Sequence, residues 1–280
     1  MSSPRPKSFH MSFIKLPFVS AVFLGCASTA VSSHEFWIEP EKFQVEIGEN
    51  IVADLKNGQE FAGSRLAYFE NQFTRFEMIQ GDRITPVTGR IGDRPAMVAT
   101  AAQDGLLIVA HETTPSKVRY KDWAKFVKFA AHKDFPDIAA RHDALGFGRE
   151  NFRESYTRHA KALIKVGSGA GKDRAIGLKT EFVALTNPYA PGFDGTMKVQ
   201  VLLDGQPRAN AQVEVFARLD DQDTDISLHR TNAQGIAAVP VQPGGDYLFD
   251  AVVLEPFKGE GPEDVIWQTY WAALTFQVRQ

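Results

Sequence analysis

Val199, Val201 and Leu203 alternate with other residues, the turn pair Asp204-Gly205 follows, and Ala211, Val213, Val215 and Ala217 then alternate in their turn. A period of two places one set of side chains on one face of a sheet, and a helix cannot use that pattern. Phe43, Val45 and Ile47, then Ile51, Ala53 and Leu55, repeat it near the other end, and Ala272, Leu274 and Phe276 repeat it last. Asn57-Gly58, Gly81-Asp82, Gly92-Asp93 and Asp104-Gly105 punctuate these runs as turns. Leu106 to Ala110 is a short unbroken apolar run and reads as a core strand. Short strands at regular spacing predict a mainly β chain with sandwich-like packing.

Between the two β regions the period changes. Trp123, Phe126, Val127 and Ala130 recur at helical spacing, and Pro136 ends or restarts that helix. A second helix is expected from Arg153 to Ile164, with Tyr156, Ala160 and Leu163 on one face. The expected organisation is therefore two β-sandwich-like domains, 34–118 and 176–280, with a helical insertion at 119–166 and a linker at 167–175. The linker's Gly167-Ser168-Gly169-Ala170-Gly171-Lys172 misses the phosphate-loop pattern, because Asp173 stands where Ser or Thr is needed.

Residues 1–33 read as an export signal. Arg5, Lys7 and Lys15 precede an apolar run from Leu16 to Ala27, and small residues follow to Ser33. Two processing routes remain open: cleavage before His34, or lipidation of Cys26 in Phe23-Leu24-Gly25-Cys26. Both place the protein in the periplasm. Cys26 is the one cysteine, so an intrachain disulfide and a thiolate metal cluster are both excluded. With 31 Lys and Arg against 34 Asp and Glu, and no block of like charge, the chain lacks the basic surface that nucleic acid requires.

Two pieces of the chain carry a resemblance. Leu203-Asp204-Gly205-Gln206-Pro207, Ala211 to Val215, Thr231 to Gly235, and Pro243-Gly244-Gly245-Asp246-Tyr247 resemble the carboxypeptidase-regulatory-like, Ig-like sandwich. His34-Glu35-Phe36-Trp37-Ile38-Glu39-Pro40, Tyr156 to Leu163, and Trp267 to Phe276 resemble an exported bacterial family of uncertain function. That family is described as the periplasmic component of cobalt and nickel uptake, and sometimes as glycoside-hydrolase-like. The resemblance implies a metal-binding protein that assists uptake, with an inner-membrane transporter as partner. The segment Phe129-Ala130-Ala131-His132-Lys133 departs from the family's acidic, glycine-containing pattern, so no ligand is assigned to it.

Cleavage before His34 gives that residue a free α-amine beside its imidazole, and the two together can chelate one ion. Imidazole suits nickel, copper and zinc. Two donors bind weakly, so another must approach: His111, His159 and Glu35 are the candidates, and Glu39 is an auxiliary. No two histidines stand at i, i+4, and no H-E-x-x-H or G-x-S-x-G occurs, so an enzyme is not expected. Asp221, Asp223 and Asp225 hint at a calcium loop, but Ile226 and Asn232 stand where glycine and glutamate are required. The alternatives are a copper-dependent oxidative enzyme acting on polysaccharide through the His34 chelate, and a structural or adhesive sandwich module.

Overall fold

The computed structural model describes residues 1, 34–219, 223–259 and 264–279. The processing site, Cys26 and Asp221 lie outside these residues. In chain order the first strands are β1 (Glu35–Pro40), β2 (Gln44–Val45), β3 (Asn50–Gln59), β4 (Ala62–Leu66), β5 (Phe73–Gln80), β6 (Arg83–Pro86), β7 (Met97–Thr100), β8 (Gly105–Thr113) and β9 (Ser116–Tyr120). Helices α1 (Trp123–His132) and α2 (Ile138–Ala144) come next, followed by β10 (Phe152–Val166). The chain continues through β11 (Thr180–Ala184), β12 (Thr196–Leu203), β13 (Gln206–Pro207) and β14 (Gln212–Arg218). It closes with β15 (Asp225–Arg230), β16 (Ile236–Pro240), β17 (Asp246–Pro256) and β18 (Val265–Gln277). The mainly β expectation holds, and the described residues from His34 onward group as one compact unit.

A ten-stranded sheet runs β15-β14-β17-β18-β10-β8-β5-β6, with β2 and β9 also paired to β10. A four-stranded sheet of β1, β3, β4 and β7 lies against one face, and one of β11, β12, β13 and β16 against the other. The two sandwiches thus share their middle layer. On the first side Trp37, Phe61, Val109 and Ala162 meet; on the second, Phe182, Val201, Leu274 and Phe276 do. A third apolar cluster, built on Tyr120, Phe126, Phe152, Trp267 and Trp271, fixes α1 and α2 over one end.

The second expected helix is a strand. Residues 152–166 form β10, parallel to β18 and at the centre of the middle sheet. Ala160, Ala162 and Ile164 face the first core, and Leu163 faces the second. A strand covered on both faces carries apolar residues on both, so period two is erased and a chance helical spacing survives. The expected turn at Asn57-Gly58 also moves. It falls at Glu60 and Phe61, both at positive φ (52° and 62°), while Gly58 lies inside β3. A Cβ at Gly58 would meet the Ala62 carbonyl at 2.0 Å, so glycine serves there for close approach of two strands. The glycine-rich stretch after β10 is fastened rather than free: Asn187 Nδ2 donates to the carbonyls of Gly169 and Gly171, and Leu106 N donates to that of Ala170.

Candidate metal centre

Asp250 stands on β17 inside the buried run Tyr247 to Leu254, and Glu214 on β14 is its direct cross-strand partner. Like charges placed opposite one another in a sheet repel. The third carboxylate, Glu35 of β1, reaches the same place from the neighbouring layer. One ligand oxygen from each of Glu35, Glu214 and Asp250 lies within 4.8 Å of the others, and among the described residues they form the one such group of three or more metal-binding side chains.

The cation that makes this arrangement tolerable comes from α1. Asp122 caps the helix by accepting from Ala124 N, and Phe126, Phe129 and Ala130 bury its apolar face. At the other end Lys133 is the C-cap, a position where the helix dipole favours positive charge. Its ammonium donates to Glu35 Oε1 (3.0 Å), Glu214 Oε2 (2.6 Å) and Asp250 Oδ2 (3.0 Å) and lies 4.9 Å from the Trp271 ring centre. The adjacent His132, whose side chain is 58% exposed, places Nε2 3.1 Å from Glu214 Oε1 at the rim.

Burial would lower the Lys133 pKa, but the charges of Asp250, Glu35 and Glu214 outweigh it and hold the group above its usual value. Burial pushes Asp250 up to about 7, with Lys133 pulling the other way and the two glutamates adding to the rise. Glu214 ends below its ordinary value, because hydrogen bonding from His132 and the Lys133 charge together overcome its burial. The hydrogen bond to Glu214 raises His132. Three carboxylates share one ammonium by hydrogen bonding, while the buried Arg158 guanidinium acts on Asp250 through its charge and His132 lies at the rim.

Of the four residues expected from the sequence, Glu35 alone enters this group. His34 stands just before β1; its carbonyl accepts from Arg158 Nη2 at 3.0 Å, and its Nδ1 is buried without a hydrogen-bond partner. His111 on β8 lies 5.0 to 5.3 Å from the rings of Phe36, Phe73 and Phe76, with neither nitrogen partnered. Burial, helped by nearby His159, pulls its pKa down to about 3 and keeps it neutral. His159 on β10 has Nδ1 3.2 Å from the Trp271 carbonyl, and its Nε2 lies 3.6 Å from Glu112, too far for a hydrogen bond. His111 faces the first core, as does Ala160, so His159 next to Ala160 faces the other way. One ion cannot be held by both rings. Sequence reasoning missed Lys133, His132, Glu214 and Asp250. The available signal was an acid inside an apolar strand, at Asp250, which calls for a buried partner.

The donors that do converge are carboxylate oxygens, a set that fits a divalent cation in charge. An ion entering there has to displace the Lys133 ammonium.

The model of one protein family, described as a domain of unknown function (DUF4198), matches residues 31–255. This chain belongs to that family. No curated protein matches this DUF4198 chain. Among solved structures it is similar to the D0-D1 domain of intimin, at 13% identity over 86% of this chain and 97% of that one, with a TM-score of 0.22. It is also similar to a Salmonella alpha-2-macroglobulin reacted with methylamine (11% identity, 86% of this chain, TM-score 0.20) and spans only 15% of that protein. A tetra-tandem repeat from the extending region of a large adhesion protein is matched at 11% identity over 87% of this chain and 49% of that one, with a TM-score of 0.20.

Proposed function

We propose that this DUF4198 protein binds a divalent transition-metal ion at Glu35, Glu214 and Asp250, with Lys133 as the internal cation that holds the centre when no metal is present. It acts by binding rather than by catalysis. Nickel and cobalt are the favoured ions and copper the third, a preference that rests on the family resemblance of the His34 to Pro40 and Tyr156 to Leu163 segments; the His132 imidazole at the rim adds one nitrogen donor beside the carboxylates. The export-like sequence of residues 1–33 supports a periplasmic location, and in this reading the protein hands its ion to an inner-membrane transporter.

One observation carries the reading: three buried carboxylates share one ammonium and, among the described residues, accept no backbone N–H. A divalent ion supplies the missing charge and releases the proton that Asp250 otherwise retains near neutrality.

Calorimetric titration of the full chain with nickel and cobalt tests it. Lys133→Met removes the competing ammonium and is expected to tighten binding by about tenfold, or ~1.4 kcal/mol. Glu214→Gln is expected to abolish it. If neither the native chain nor Lys133→Met takes up nickel, cobalt or copper, the reading falls, and the centre is a salt-bridged anchor for α1 in a structural sandwich module.

A further inference from the structure

The middle sheet ends on one side at β15. This strand pairs with β14 and, among the described residues, with no strand on its outer side. Sheet edges are usually blunted against unwanted pairing by proline, inserted charge, bulges or shortness. The opposite edge follows that rule: β6 is four residues long, starts at Arg83 and ends at Pro86. β15 is longer, with six residues in unbroken register and no proline, and its charged residues Asp225 and Arg230 stand only at its two ends. Ile226 and Leu228 stand 44% and 61% exposed on it. They lie opposite Phe216 and Glu214, on the face that carries the carboxylate centre.

We propose that β15 pairs antiparallel with β15 of a second copy of this chain, joining two middle sheets into one across a two-fold axis at Ser227. The sequence Asp225-Ile226-Ser227-Leu228-His229-Arg230 is self-complementary in that register. Side chains meeting across a ladder must lie on the same face, so each residue pairs with one of its own parity. Centred on Ser227, Ile226 of each copy meets Leu228 of the other, and Asp225 meets His229. Two apolar pairs thus form on one face, and on the other each Asp225 carboxylate meets the imidazole of a His229 whose Nε2 lies 3.1 Å from Ser227 Oγ in its own strand. Centring on Leu228 instead sets Ile226 against Arg230, whose guanidinium already holds Asp134 at 2.7 and 2.9 Å. The second copy is therefore favoured in the first register. This pairing stands independently of the metal reading.

Cysteine cross-linking reads the register directly. In the full chain carrying Cys26→Ser, Ser227→Cys faces itself across the axis at the ~5 Å Cα separation of a ladder, within reach of a disulfide. Asp225→Cys is four ladder steps from its own copy and serves as the control. The expected result is a covalent dimer from the 227 variant within minutes of mild oxidation, at least tenfold faster than from the 225 variant. Sedimentation of the native chain should show twice the 31.0 kDa mass at concentrations up to ~100 µM, the range for a small interface. Leu228→Lys, which sets an ammonium against Ile226 of the other copy, should return it to monomer at the same concentrations. A native chain that stays monomeric, with equal cross-linking at 225 and 227, overturns the proposal.

Discussion

Two buried lysines in this molecule are surrounded by carboxylates, and their surroundings differ in one respect. Lys161 on β10 donates to Asp173 Oδ1 (2.7 Å), Glu181 Oε1 (3.1 Å) and the carbonyls of Arg174 and Phe182. The extra negative charge there is met by the backbone: the N–H groups of Arg174, Ile176, Gly177, Leu178 and Ala184 all donate to those two carboxylates. Around Lys133 three carboxylates converge, and no backbone N–H of the described residues donates to them. The first site is electrically closed by a loop folded for that purpose. The second relies on His132, on the more distant charge of Arg158 and on the proton of Asp250. The difference separates a staple from a site with capacity for another cation.

The strongest way to break this comparison is to remove each lysine in turn. Lys161→Ala strands Asp173 and Glu181 in the interior and is expected to cost about 3–5 kcal/mol in urea unfolding. Lys133→Met in metal-free protein should cost less, about 1–3 kcal/mol, because Asp250 takes a proton and His132 still holds Glu214. Equal losses at the two sites would erase the distinction. In the metal-loaded form, Lys133→Met should recover its loss, and Lys161→Ala should not.

Asp250 sharpens the comparison through pH. Its folded pKa lies near 7, above the ordinary value of 3.8, so its contribution to stability is complete below about 4 and is lost as pH rises toward 7. Burial raises Glu154 in the same direction, to about 7, so the slope must be read as a difference between variants. Asp250→Asn should gain on the native chain by at least about 1 kcal/mol as pH rises through this window. A parallel pair of denaturation curves across that range would remove Asp250 from the account.

The smallest effect belongs to His132. With its side chain more than half exposed, its pair with Glu214 is expected to contribute about 0.5 kcal/mol. Glu214 raises its pKa, so that contribution is present below about 6.5 and disappears as pH rises through the folded value. His132→Ala should therefore change stability at pH 5.5 and leave it unchanged at pH 9, measured by thermal unfolding.

The strands at 199–203 and 211–217 were legible because alternation and glycine turns act locally. β10 was not, since the layers that cover both its faces come from distant parts of the chain. The same double coverage hid Glu214. In Gln212-Val213-Glu214-Val215 it reads as the solvent-facing member of an alternating strand, yet β1 and α1 cover that side. Glu35 was accessible through the His34-Glu35-Phe36-Trp37 motif. Lys133 sat in the segment set aside for departing from the family pattern, and it provides the one ammonium in the centre.

β10 and β18 lie side by side in the middle sheet although more than a hundred residues separate them, as with Tyr156 beside Thr269 and Ala162 beside Thr275. Contacts this remote are slow to form, because the loop between them must close before any pairing is rewarded. Until residues 265–277 have been synthesised, β10 and β17 have no shared neighbour, and the sheet exists only as two unjoined halves. A product truncated before β18 leaves the facing edges of β10 and β17 unpaired, and is expected to be more open to proteases than the whole chain.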